Sequence, residues 1–264
     1  MNTIEDIHAS ASLLTKLLKS YNFEQEKLMH SKGANDFVTN VDLELQELIL
    51  KQLPNIVDVP ILSEELDCHE FNSNDSFWII DPLDGTSNFI AGLSHIATSV
   101  ALVRQDRVVF GFIYDYSGQN SYYAGIELGA YKNGKLLKIG NKRLLRPYLV
   151  GASSGFIKEW KVSGQIETFS LSNFRILGSQ ALQLCFVAEE KLVGNLSVEA
   201  KIWDDAAGLL IVREAGGEYY SGTLRETGVI GCVSEALSLY SSASGPVGEK
   251  QKFLSIMENI KCKK

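Results

Sequence analysis

The sequence predicts an α/β protein in which helices are layered on sheets. Three observations carry that reading. Ile4, Ile7, Ala11, Leu14 and Leu18 recur at helical spacing and share one face. The runs Phe77–Ile80, Ile96–Val103 and Val108–Tyr114 are short, apolar and bounded by polar turns, as buried strands are. From about residue 148 onward strand-like and helix-like segments alternate. A chain of 264 residues buries roughly 70–75% of its unfolded surface, so it needs no disulfide or metal merely to fold.

The elements follow in order. Thr3 is placed to cap the first helix. A second helix is expected to begin near Thr39 and to carry Val41, Leu45, Leu48 and Leu53 to a stop at Pro54. The apolar run Val59–Leu62 ends in Ser63-Glu64-Glu65, and the Phe77–Ile80 strand follows a polar loop. The strands 96–103 and 108–114 are separated by a four-residue polar turn. Asn133-Gly134 carries the two-residue hairpin signal. In the second half, strands at Tyr148–Ala152 and Phe174–Leu177 flank a mixed helix. A helix from about Gln180 to Glu190 precedes a strand at Lys191–Val198. A helix from Trp203 to Ala215 stops at Gly216-Gly217, and a strand at Val229–Ser234 and a helix at Val247–Ile260 close the chain. No repeat and no low-complexity linker interrupts it. Two lobes are expected, residues 1–140 and 141–264, forming one compact unit.

Charge and composition exclude several classes of function. A net charge of −7 argues against a nucleic-acid polymer or an anionic membrane as partner. An anionic substrate would therefore need positive charge supplied at the site, most simply as bound metal. The first residues show no secretory pattern, and no apolar run approaches the 18 residues of a membrane span. Cys68, Cys185, Cys232 and Cys262 are widely spaced and read as free thiols of a cytoplasmic protein. Cys68-His69 has no second half with which to build a zinc site.

The stretch Phe77 to Phe89, FWIIDPLDGTSNF, drives an apolar strand into two carboxylates three residues apart. At ~4 Å and an effective dielectric near 20 such a pair repels by about 4 kcal/mol, and a cation is the natural remedy. Glu64 ends one strand, Asp81 and Asp84 end the next, and Asp204 opens a helix. Strand ends and helix starts converge at one edge of a layered sheet. An all-oxygen set of this kind suits Mg²⁺ rather than zinc. Gly85-Thr86-Ser87 adds backbone N–H groups at a helix start, an anion cradle. Taken singly these residues have plainer readings. Asp84-Gly85 is a common turn, and Asp204 and Asp205 could both be helix-capping acids. Their side chains point about 100° apart, so one of the two is expected only to cap.

Together the segments resemble the inositol monophosphatase family of magnesium-dependent, lithium-sensitive phosphatases. The resemblance rests on Asp81-Pro-Leu-Asp-Gly-Thr-Ser-Asn-Phe, Trp203-Asp-Asp-Ala-Ala-Gly, Ser63-Glu-Glu and Asp36-Phe-Val-Thr-Asn-Val-Asp42. It covers roughly residues 1 to 235 in order and spacing. It implies a sandwich of alternating helix and sheet layers, α-β-α-β-α, assembled as a homodimer. Glu64 would ligate metal and help activate the attacking water, Asp81 would bridge two Mg²⁺ ions, and Leu83 would offer its carbonyl. Asp84 and Asp204 would complete the second metal, with Mn²⁺ as a possible substitute and a third Mg²⁺ allowed. Thr86 falls at the water-orienting position, and the amides of Gly85, Thr86 and Ser87 would hold phosphate. Asp42 and, with a one-residue shift in spacing, Lys32 would lie in an outer polar shell.

The implied activity is hydrolysis of a small phosphate ester, an inositol monophosphate or sugar phosphate, by metal-activated water. Residues facing the alcohol would include Ser179, Gln180 and Ser197, and here the resemblance thins. Ser197 stands where the family has an inositol-binding glutamate, and Gln180 where a small alanine is usual. Glu199 could replace the lost acid only if its strand is bulged. A 3′(2′),5′-bisphosphate nucleotidase is the alternative enzyme, with Lys201 and the segment Lys158-Glu-Trp-Lys161 as its candidate contacts. A non-catalytic dimeric binding module is the alternative of another class.

Overall fold

The computed structural model describes residues 1–23, 28–33, 36–66, 75–140, 149–163, 173–221 and 240–246. Its first helix, α1 (Ile4–Lys19), begins at Thr3, whose hydroxyl accepts from the Asp6 amide while the Asp6 carboxylate accepts from the Thr3 amide. A short hairpin, β1 (Met29–Gly33) and β2 (Asp36–Thr39), then leads into α2 (Asn40–Gln52). The second helix stops at a single 3₁₀ turn, Leu53–Asn55, where Pro54 removes the amide that would continue it.

Among the described residues seven strands form the larger sheet in the order β3 (Ile61–Ser63), β4 (Ser76–Asp84), β5 (Ala97–Arg104), β6 (Arg107–Asp115), β7 (Asn120–Gly125), β8 (Gly129–Lys132) and β9 (Lys135–Leu137). Only the β3–β4 pair is parallel. The β8–β9 turn is the expected Asn-Gly hairpin, with φ of 49° at Asn133 and 79° at Gly134. Alternation along β4 splits the core in two. Trp78 and Ile80 face α1 and α2, packing with Ile7, Leu14, Leu45 and Ile49. Phe77 and Ile79 face the other way, toward α5 (Gln180–Ala188) and α6 (Ile202–Glu214).

Among the described residues the second sheet has five strands, in the order β11 (Asn173–Arg175), β10 (Leu149–Ala152), β12 (Gly194–Ala200), β14 (Tyr240–Pro246) and β13 (Gly217–Ser221). The first three are parallel and β14 runs antiparallel to both its neighbours. α4 (Ser154–Ser163) covers its outer face through Phe156, which packs on Val150, Ala152 and Leu196. The layers therefore run helix, sheet, helix, sheet, helix, the predicted sandwich. Lying between two sheets, α6 is apolar on nearly every side and buries ten of its residues. Its small residues let it lie close: a Cβ added at Gly111 of β6 would sit 2.7 Å from the Ala207 carbonyl.

Several elements depart from expectation. β4 does not stop at Ile80 but runs to Asp84, and the Phe174 strand is shorter than expected. The β1–β2 hairpin, β7, β13 and β14 were not anticipated. The expected strand 229–234 and helix 247–260 lie outside the described residues, as do Cys68 and His69. Cys185 is buried and free. Among the described residues no helix is long and apolar enough to cross a membrane.

Candidate active site

β4 carries two of the predicted acids, and a bulge decides where they point. Asp81 pairs with Ser99 and Asp84 with Ala97, so Pro82 and Leu83 together oppose Thr98 alone. Residues three apart on a regular strand face opposite sides. The extra residue brings Asp81 and Asp84 to the same side, toward α5 and α6, and sends Leu83 into the core beside α2. The Leu83 amide donates to Asp81 Oδ1 (3.0 Å) inside this kink. Thr98 holds the bulge from the neighbouring strand by donating to the Pro82 carbonyl (2.7 Å).

The other two acids arrive from either side. β3 lies beside β4, and the Glu64 amide donates to the Ile80 carbonyl (3.2 Å), which places Glu64 next to Asp81. Asp204 sits in the first turn of α6 and accepts from the Lys201 amide (2.8 Å). Ser99 of β5 donates to the Trp203 carbonyl (3.0 Å) and so ties that helix start to the sheet.

Burial pushes the Asp81 carboxyl well above the ordinary carboxylate range, and the charges of Glu64, Asp84, Asp204 and Asp42 push it further. Asp204 is raised well above that range for the same reason, first by burial and then by Asp84 and Glu64. Asp84 is pushed up to about 6 by burial, against the opposing pull of the Ser179 hydroxyl and the Ala181 and Gln180 amides. Those donors lie 2.6, 2.7 and 3.3 Å away at the start of α5. Among the described residues no lysine or arginine pairs with Asp81, Asp84 or Asp204. Nor do three acids close into a finished ligand cluster among those residues, since each of these aspartates is turned onto a protein donor. The donor set nevertheless fits a hard divalent cation. It is all oxygen, Asp81 and Asp84 within it are buried, and the like charges of its three aspartates meet no lysine or arginine among the described residues.

Beside the acids the backbone turns at Gly85, where φ is +95° and a Cβ would stand 2.7 Å from the His95 carbonyl. α3 (Thr86–Ala91) starts there, and its first-turn amides, those of Thr86 and Ser87 included, have no intrahelical acceptor. The Thr86 hydroxyl lies 3.0 Å from Asp42 Oδ1 and 3.0 Å from the Leu83 carbonyl. Asp42 is 1% exposed and held from behind by the amide (2.8 Å) and hydroxyl of Thr39. It therefore reaches the site through the Thr86 hydroxyl. The side chains of Lys32, Glu199 and residues 159–161 fall outside the described residues.

A cavity of about 280 Å³ opens beside Asp84 and Asp204, and Ser179, Gln180 and Ser197 all line it, as expected of an alcohol pocket. Lys201 is absent from the described lining, and its ammonium lies 5.6 Å from the Trp203 ring centre. Three residues escaped the sequence reading. Asp205 is fully buried and accepts from Gln180 Nε2 (2.7 Å) and the Tyr219 hydroxyl (2.7 Å), so it fixes the pocket wall rather than merely capping α6. Asn88 donates to the His95 and Leu177 carbonyls (2.8 and 2.7 Å), joining the anion cradle to the loop that holds Asp84. Gln46 accepts from the Ser63 hydroxyl (2.5 Å) and donates to the Glu65 carbonyl (3.4 Å), bracketing Glu64. Contacts across 89 or 17 residues leave no local signal; only the adjacent Asp204-Asp205 pair offered one.

The model of the inositol monophosphatase family matches residues 3–252. The chain belongs to that family. It is 36% identical to the Nus factor SuhB of Haemophilus influenzae, over 82% of this chain and 84% of that one. It is 34% identical to the fructose-1,6-bisphosphatase/inositol-1-monophosphatase of Aquifex aeolicus, over 77% and 79% of the two chains. Among solved structures, the inositol monophosphatase family fold recurs in a Thermotoga maritima IMPase, with a TM-score of 0.80, 27% identity and coverage of 97% and 98%.

Proposed function

We propose that this member of the inositol monophosphatase family is a Mg²⁺-dependent phosphomonoesterase acting on a small soluble phosphate ester. The observation that carries this is the set Glu64, Asp81, Asp84 and Asp204, with Asp81 and Asp84 buried, facing an open helix start and a threonine hydroxyl held by Asp42. Glu64, Asp81, Asp84, Asp204 and the Leu83 carbonyl would hold the cations. Bound Mg²⁺ would neutralise the phosphate and the leaving oxygen and lower the pKa of an attacking water. The amides at the start of α3 receive phosphate oxygens. Thr86, donating to Asp42, keeps its lone pairs for the water's proton and so orients it for in-line attack. Among the described residues no side chain is placed as a nucleophile, so the reading is direct attack by water. The two lobes act as one unit, because Asp204 of the second completes the set begun by the first.

Phosphate release from a panel of esters, with Mg²⁺ and then with chelator, tests the reading. Asp84→Asn and Asp204→Asn should each leave the circular dichroism unchanged and lower kcat about a hundredfold or more. Near wild-type turnover in either variant would remove that residue from the metal set. The name Nus factor carried by similar proteins favours a second reading, a partner-binding module, which would show no response to Mg²⁺ or chelator.

A further inference from the structure

The bulge in β4 leaves one peptide unit, the one joining Pro82 to Leu83, between two side chains of opposite purpose. Its carbonyl accepts from the Thr98 hydroxyl (2.7 Å), and its amide donates to Asp81 Oδ1 (3.0 Å). A peptide is planar, and in the trans form its C=O and N–H point in opposite directions. Whatever pins the carbonyl therefore aims the amide, and with it the carboxylate that the amide holds. Thr98 works from behind the acids. Its neighbour Ser99 reaches α6 through the Trp203 carbonyl, and successive residues of a strand face opposite sides.

Thr98 is fully buried, and its hydroxyl has a second contact, the Tyr116 hydroxyl at 2.7 Å. Proton count fixes the direction of that bond. The Thr98 hydroxyl has one proton, and the Pro82 carbonyl can only accept it. Tyr116 must then donate to Thr98. Three hydrogen bonds run in series, from Tyr116 to Thr98, from Thr98 to the peptide, and from the peptide to Asp81. Bonds in such a chain polarise one another. A buried carbonyl needs one donor, and Thr98 alone meets that need; Tyr116 goes beyond it. Burial pushes the Tyr116 phenol far above its ordinary value, so it keeps its proton to donate.

The tyrosine is also braced. Its ring meets Phe23 and Tyr114 edge-on, with centroids 4.7 and 5.1 Å away. Phe23 in turn lies 5.7 Å from Phe89 of α3 and 4.9 Å from Tyr21. The Tyr21 hydroxyl contacts Glu44 of α2 (2.7 Å), the helix that bears Asp42. One aromatic group thus ties the bulge to the two helices that supply Thr86 and Asp42. We propose that Thr98 and Tyr116 are positioning residues of the metal site, whose hydroxyls in series aim the Pro82–Leu83 peptide and hold the Asp81 carboxylate for the cation. This deepens the proposed function and rests on it.

The test is an equilibrium titration of Mg²⁺ into the chelator-treated protein, read by the heat of binding, with Tm and phosphate release measured beside it. Thr98→Val keeps the shape and removes both links, and should weaken Mg²⁺ binding about tenfold, as losing the partner that orients a ligand does. Tyr116→Phe removes only the first donor and should weaken it by about threefold; it stands in should the valine variant fail to fold. The double variant should bind Mg²⁺ as Thr98→Val does, because links in series fail together. Thr98→Ser, which keeps the hydroxyl, should restore wild-type affinity. A role confined to packing would lower Tm and leave Mg²⁺ affinity in place. Wild-type Mg²⁺ affinity in either single variant, or additive losses in the double variant, overturns the relay and leaves the phosphatase reading intact. Neither Mg²⁺ binding nor phosphate release by the wild-type protein overturns both.

Discussion

Thr86 has one hydroxyl proton and two acceptors at 3.0 Å, so it can donate to only one at a time. If the Leu83 carbonyl is engaged by a cation, the proton goes to Asp42. Thr86→Val, which keeps the shape and removes the hydroxyl, should lower kcat by about 10²–10⁴ with little change in KM. Thr86→Ser should restore most of it. A valine variant with wild-type kcat would remove the hydroxyl from the mechanism. Residue identities were the most legible part of the site. The acids and the Gly-Thr-Ser turn follow from runs that local chemistry explains. The contact of Asp42 with Thr86 spans 44 residues and left no local signal, and Asp205 was underestimated because a first-turn acid already has a sufficient reason to be there.

Among the elements, amphipathic helices and apolar strands were readable wherever one period ran unbroken. β14 was not: Tyr-Ser-Ser-Ala-Ser-Gly-Pro has neither alternation nor bulk, and it is a strand because β12 and β13 pair with it on both sides. β4 was cut short for a related reason. An Asp-Pro step reads as a strand end, whereas the bulge lets the strand pass through it. Element packing makes its own prediction at Gly111. In Gly111→Ala the new Cβ would meet backbone of α6 at 2.7 Å, which cannot swing aside as a side chain would. Calorimetry should find a loss of about 1–3 kcal/mol from overpacking, with Tm lower by on the order of 5 °C. An unchanged Tm would mean that α6 moves away from β6 freely, contrary to its role in fixing Asp204.

For the whole molecule, the buried acids link stability to pH and metal. In the metal-free protein Asp84 titrates at about 6 against an ordinary value of 3.8, and Asp81 and Asp204 are raised as well. Between those values the folded state holds more protons than the unfolded chain. Stability present near pH 4 is therefore lost as pH rises through about 6. Glu189 is shifted the other way, mainly by Lys132, Tyr122 and Lys191 against the effect of its burial, but its window lies below 4.5. With chelator present, Tm should fall between pH 5 and 7.5. Saturating Mg²⁺ should cancel the fall, since a ligand at a hundred times its Kd adds about 2.7 kcal/mol. A flat Tm under chelator would show that these carboxylates do not carry the burden assigned to them.

β14 has a consequence for how the chain is made. It lies between β12 and β13 although it follows both in sequence. During synthesis the second sheet has an empty lane until residue 246 has emerged, with the flanking edges of β12 and β13 left open. At roughly 5–20 residues per second, the 25 residues from Ser221 to Pro246 take on the order of a few seconds. The helix bearing Asp204 leans on that sheet, so a nascent or truncated chain lacking the last strand would leave the acid site without its support. Emergence of β14 and assembly of the site are thereby joined by the order in which one sheet is filled.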